Sequence, residues 1–236
     1  MDFSHPILVR ARTVGRRLGI LVPLLQIYYR WRRNNVHEER FERAVLSHIL
    51  PGDTVWDVGA NIGHYTKIFA DIVGASGHVV AFEPSPQTFA TLSAEMARND
   101  NVTLANVALS NFEGHADLYV RSDGFNPADG LSTASVDADA KAVPIPVTTG
   151  DRYIAENAAL APNRIKIHVE GFESEVLSGL AGHLRSEKLK TLFIEFHFGL
   201  MAARGLVNEP RGITKMLRQN SFVISWTDPS HICAHR

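Results

Sequence analysis

The sequence predicts an α/β protein, a mostly parallel sheet covered by helices on both faces and preceded by a helical cap. Three observations carry this. From residue 54 onward, short apolar runs alternate with helical patterns, and repeated βαβ order implies a parallel sheet buried between helices. The first of these runs ends in an acid followed by two glycines four apart, where a strand would turn into a helix. Length and composition also fit one domain with an appendage. The 236 residues are 45% hydrophobic and 21% charged, which argues against disorder, collagen-like repeats and a disulfide scaffold.

Residues 1–50 read as the cap and 51–236 as the α/β domain. The net charge of -1 excludes a generally basic nucleic-acid binder, but it hides an asymmetry. Residues 1–33 hold seven arginines against one acid, Asp2, leaving 17 basic and 24 acidic residues for the rest. The apolar run Leu18–Ile27 is broken by Pro23 and Gln26 and falls short of the roughly 20 residues a spanning helix needs. No signal-peptide cleavage pattern follows it. Gly19 and Pro23 point to two short helices. The plain reading is a cap packed on the domain with its arginines solvated. A second is that Tyr28, Tyr29, Trp31 and Arg32 form an acceptor rim, since aromatic rings stack on sugars and Arg donates in a fixed fork. Contact with an anionic membrane surface is a third. His37–Leu50 then reads as an amphipathic helix with Phe41, Val45, Leu46, Ile49 and Leu50 on its apolar side, stopped by Pro51-Gly52-Asp53.

Within the domain, strands are expected at Thr54–Val58, His78–Glu83, Val102–Val107, Ile165–Val169 and Thr191–Phe196. Helices are expected at about Tyr65–Val73, Pro86–Arg98, Glu173–Leu184 and Arg211–Gln219, with a closing strand pair at Phe222–Trp226 and His231–Ala234. The polar stretch Arg121–Lys141 reads as a functional lid or an inserted hairpin. The single cysteine, Cys233, suits a reducing, cytoplasmic setting.

The most informative stretch is Asp57-Val58-Gly59-Ala60-Asn61-Ile62-Gly63, with Thr66 in the helix beyond it. In an open parallel sheet the ligand crevice lies at such a turn, where glycines admit a close ligand and a helix N-terminus offers N–H groups to an anion. A dinucleotide would require G-x-G-x-x-G, and Asn61 stands where its middle glycine belongs. Asp57 would also repel a pyrophosphate. The turn suits S-adenosylmethionine instead: Asp57 would meet the amino group, directly or through water, and the turn's N–H groups the carboxylate. Glu83, at the end of the second strand, can accept both ribose hydroxyls, with Ser85 beside it, and Asn106-Val107-Ala108 would flank the adenine.

The sequence resembles the FkbM family of S-adenosylmethionine-dependent methyltransferases. The resemblance rests on Trp56 to Gly63, on Phe82-Glu83-Pro84, on Ile165-Lys166-Ile167-His168-Val169-Glu170-Gly171-Phe172-Glu173, and on Phe193-Ile194-Glu195. It implies a seven-stranded Rossmann-like class I methyltransferase fold and methylation of a hydroxyl, often on a sugar or natural product. The family usually has Asp where this chain has His168.

In that strand order the ends of Ile165–Val169 and Thr191–Phe196 are neighbours facing the transferable methyl. If the strands persist, His168 and Glu170 share one face and Glu195 and His197 another. Three readings stay open: a Mg²⁺ or Mn²⁺ ion held by His168, Glu170, Glu195 and His197; a general base, His168 or Glu170; or an acid–histidine pair that shapes the floor. Glu173 is left to the helix dipole. His48, His64, His78, His115, His183, His231 and His235 read as incidental, solvated or packing residues. The expected activity is O-methylation of a sugar or oligosaccharide. Small size and an Ala/Arg-rich character resemble actinobacterial enzymes that methylate mannose oligosaccharides. Natural-product or phenolic hydroxyls are the substrate alternative. The rival functions are an NAD-dependent oxidoreductase and a non-catalytic S-adenosylmethionine-binding protein. A homodimer is compatible with the sequence and nothing in it demands one.

Overall fold

A computed structural model describes residues 36–121 and 140–236. Tyr28, Tyr29, Trp31 and Arg32, with the rest of 1–35, and residues 122–139 of the polar stretch lie outside the described residues. Helix α1 (Val36–His48) leads into β1 (Thr54–Val58), α2 (His64–Val73), β2 (His78–Phe82), α3 (Pro86–Met96) and β3 (Val102–Ala105). Then come β4 (Ala108–Ser110), β5 (Gly114–Arg121), β6 (Ala140–Thr149) and α4 (Gly150–Glu156). The second half runs β7 (Arg164–Ile167), α5 (Glu173–Ser178), β8 (Thr191–Glu195), α6 (Phe198–Ala203), α7 (Glu209–Gln219), β9 (Val223–Trp226) and β10 (His231–His235).

The main sheet has seven strands in the order β3-β2-β1-β7-β8-β10-β9. All neighbours are parallel except β10, which runs antiparallel to both β8 and β9. The chain starts in mid-sheet at β1, works out to β3, and returns to β7 on the other side. The carboxyl ends of β1 and β7 therefore border a switch point, where such sheets open a crevice. Period-two alternation divides the core. Trp56 and Val58 pack with Ile165, Ile167, Leu177 and Leu217 on one face, and Val55 packs with Phe41, Val45 and Phe69 on the other. Asp57 falls on the Val55 face, towards α2, and its register partner on β7 is Lys166.

The helix expected over Glu173–Leu184 ends at Ser178, and three further expectations change. The strand predicted over 102–107 ends at Ala105, because Asn106 turns the chain by donating from Nδ2 to the carbonyls of Glu83 and Pro84. The apolar alternation continues across that turn, so one strand was expected where two belong to different sheets. Second, β4 joins a separate three-stranded sheet, β4-β6-β5, whose β5–β6 hairpin flanks the polar stretch. Pro144 and Pro146 masked β6; they sit where β4, which pairs only with Val147–Thr149, has not begun. Third, Leu46 and Leu50, expected on the apolar side of α1, are exposed; α1 ends at His48, and Phe41, Val45 and Ile49 are the buried residues. No helix among the described residues is long and apolar enough to cross a membrane.

Candidate active site

The turn after β1 is locked from inside. Gly59 has φ +78°, and a Cβ there would lie 1.9 Å from the His168 carbonyl oxygen. Only glycine lets this turn pack against the end of β7. The N–H groups of Gly59 and Ala60 donate to the Phe82 carbonyl, Gly63 N–H to the Ala60 carbonyl, and Asn61 N–H to Glu83 Oε2. Asn61 is itself left-handed at φ 53°, with its Oδ1 accepting from Ile62 N–H. The turn's N–H groups are thus paired within the chain. The start of α2 remains: Gly63 caps it with no side-chain hydrogen bond, so its N-terminus can meet an anion.

Asp57 and Thr66 are likewise committed. Asp57 has no exposed surface; its Oδ2 accepts from Thr66 Oγ1 at 2.7 Å and its Oδ1 from Lys166 Nζ at 2.9 Å. Lys166 also donates to the Gly59 carbonyl at 3.2 Å. Asp57 thus sits in a buried ion pair that pins the turn to β7. Glu83 accepts from Asn61 N–H and Ser85 N–H, each at 2.9 Å, which leaves every carboxylate oxygen a further lone pair for a hydroxyl. Burial raises its pKa against those two bonds. Ser85 Oγ caps α3 by accepting from Thr88 N–H, Val107 packs against the main core, and Ala108 is buried in β4. Of the expected cofactor contacts, Glu83 keeps open acceptor capacity, while Thr66, Ser85 and Asn106 make hydrogen bonds within the chain and Ala108 is buried.

At the reaction end, β7 stops at Ile167, and Glu170 (φ 51°) and Gly171 (φ 93°) turn the chain left-handed. His168 and Glu170 are brought together by this turn rather than by strand alternation. His168 Nε2 lies 3.4 Å from Glu170 Oε1, and its Nδ1 3.3 Å from Glu195 Oε2. His197, just past β8, places Nε2 3.3 Å from Glu170 Oε2 and 3.8 Å from Glu195 Oε1. The two imidazoles stack at 5.0 Å. Ligand atoms of His168, Glu170 and His197 lie within 4.8 Å of one another; Glu195, the fourth predicted ligand, stands beside them and is shared with His231.

Two residues set aside from the sequence belong to this constellation. Glu173 is fully buried, accepts from Gly171 N–H, and holds His197 Nδ1 at 3.0 Å. His231 sits between Glu195 Oε2 at 3.3 Å and Asp228 Oδ1 at 2.8 Å. Both outer carboxylates take Nδ1, leaving Nε2 turned inward, as in sites where a carboxylate orients a working histidine. Burial would raise Glu195, but the His231 hydrogen bond and the charges of His168, His231 and His197 hold it down to about 2. Burial would lower His231, but bonds to Asp228 and Glu195 push it up to about 9. His197 is raised against burial by Glu173 and Glu170.

Residues 57–224 match the family model of the methyltransferase FkbM domain. The chain belongs to the FkbM methyltransferase family. As an FkbM-family enzyme it is an S-adenosylmethionine-dependent methyltransferase. It is similar to the hexuronic acid methyltransferase AglP of Haloferax volcanii, with 28% identity over 80% of this chain and 72% of that protein. It is also similar to the 31-O-demethyl-FK506 methyltransferase FkbM of Streptomyces tacrolimicus, with 29% identity over 59% of this chain and 65% of that protein. Among solved structures, the precorrin-6y C5,15-methyltransferase of Geobacter metallireducens aligns with 84% of this chain and 88% of its own, at 12% identity and a TM-score of 0.47.

Proposed function

We propose that this enzyme methylates a hydroxyl of a sugar or oligosaccharide, with a divalent cation held by His168, Glu170 and His197. The observation that carries the reading is the convergence of those three side chains beyond β7 and β8. The name of the Haloferax relative supports a sugar acceptor. S-adenosylmethionine supplies the electrophilic methyl group when bound. The chain's own residues supply the rest. Glu83 offers lone pairs to a ribose diol, and the uncapped start of α2 faces the cofactor's carboxylate. Glu170 would accept the proton of the acceptor hydroxyl or, with His168 and His197, would hold a cation that lowers that hydroxyl's pKa, and Glu173 keeps His197 Nε2 turned inward. The donor set of two imidazoles and a carboxylate fits Mn²⁺ well and Mg²⁺ with added waters. Alignment of the reacting groups and removal of the proton contribute most of the rate.

The test is methyl transfer to a panel of hexoses, uronic acids, oligosaccharides and phenols, with and without EDTA. Sugar methylation that collapses in EDTA and returns with Mn²⁺ or Mg²⁺ is expected. Exclusive methylation of phenols would overturn the acceptor, and full activity in chelator would overturn the cation.

A further inference from the structure

At the opposite end of β10 from the methyl-transfer site, we propose a second metal centre: a zinc site formed by His48, Cys233 and His235. In the β8–β10 register His231 faces Glu195, whereas His235 faces Thr191 at the start of β8. Four residues of strand separate the two places by about 13 Å. Cys233 and His235 are two apart on β10 and share a face, and α1 packs there, bringing up His48 next to the end of the helix. Ligand atoms of the three side chains lie within 4.8 Å of one another. Around a tetrahedral Zn²⁺ such atoms stand roughly 3.3–3.6 Å apart, so a small inward closure completes the site and a water takes the fourth position.

Two features argue for an ion over simple packing. His48 Nδ1 lies 2.7 Å from the Ala44 carbonyl; the N–H it donates there leaves Nε2 as the lone pair, the arrangement that orients a metal-binding imidazole. His235 Nδ1 is buried and has no hydrogen-bond partner among the described residues, and a bound ion is the partner it lacks. The chemistry of the set selects the ion. Thiolate and two imidazoles with no carboxylate suit Zn²⁺ and not Mg²⁺ or Ca²⁺. The centre would staple the end of α1 to the far edge of the sheet, away from the reacting groups.

Cys233 is the sole cysteine, so a cobalt–thiolate charge-transfer band in the near ultraviolet reports this site alone. The purified full chain should retain about one equivalent of Zn²⁺ that Co²⁺ can replace with appearance of that band. His48→Gln, which leaves Cys233 in the core, should weaken Zn²⁺ by more than the roughly 10–100-fold lost with an outer hydrogen-bond partner. Cys233→Ala should abolish the band, with circular dichroism confirming the fold, and Glu170→Gln should leave it unchanged. Absence of a cobalt–thiolate band in the folded wild-type chain would overturn the proposal. So would a band and zinc affinity that His48→Gln leaves intact. Neither result bears on methyl transfer.

Discussion

On the β1–β2 side of the crevice the carboxylates are closed by short contacts, Asp57 at 2.7 and 2.9 Å and Glu83 at 2.9 Å to two backbone N–H groups. On the β7–β8 side, Glu170 and Glu195 face the imidazoles of His168 and His197 at 3.3–3.8 Å, longer than any of those contacts. Only the outer contacts there are short, with Glu173 at 3.0 Å and Asp228 at 2.8 Å. One side fixes a turn, with Asp57 fully committed and Glu83 keeping a lone pair on each oxygen. The other orients its groups from behind and leaves their inward faces apart, with room for something between them. Left-handed Glu170 belongs to the second kind, a residue held in a sparsely populated conformation at the candidate site.

The largest expected effect lies on the open side. Glu170→Gln keeps the size and removes the charge, so methyl transfer should fall by about 10²–10⁴-fold. Thermal stability and S-adenosylhomocysteine affinity should barely change, because Glu170 makes no short hydrogen bond. Activity within a few-fold of wild type would end the assignment of this side as the reaction centre.

The closed side should respond in the opposite way. Lys166→Met strands Asp57 without its cation in the core, which costs about 3–5 kcal/mol of stability. Adding Asp57→Leu should recover much of that loss, since the buried pair repays its own desolvation poorly. Urea denaturation of the three variants measures this. A single-variant loss below about 1 kcal/mol would show that the pair is not the lock it resembles.

These contrasts explain what was legible in the sequence. β1 and β2 were readable because their apolar runs end in an acid and a turn, and the glycine at 59 has a steric reason visible in the packing. Lys166 stood in the motif that marks the family, but its partner Asp57 is 109 residues away and appears only through the β1–β7 register. His231 was set aside for the same reason: nothing local links it to Glu195, and only the antiparallel β8–β10 pairing does. For Glu173 a local rule shows only half of its role. Its place in the first turn of α5 suits the helix dipole, yet the left-handed turn at Glu170-Gly171 aims it at His197 as well. Long-range pairing and one unusual turn account for what periodicity could not show.

The smallest expected effect concerns His231, the link between the two carboxylates at the edge of the open side. Its pKa rises from 6.5 to about 9 on folding, so its contribution is complete below pH 6.5 and is lost as pH climbs through 9. Glu195 moves from 4.5 to about 2, so its contribution is complete above pH 4.5 and is lost as pH falls through 2. Both contribute fully between pH 4.5 and 6.5, where the chain should be most stable with respect to this pair. At pH 6, His231→Gln should cost up to about 3 kcal/mol. The deficit should shrink steadily towards pH 10, measured by urea melts in chelator. A variant whose deficit stays constant over that range would show that His231 acts through packing, as the Phe41 ring 4.2 Å away allows, rather than through its proton.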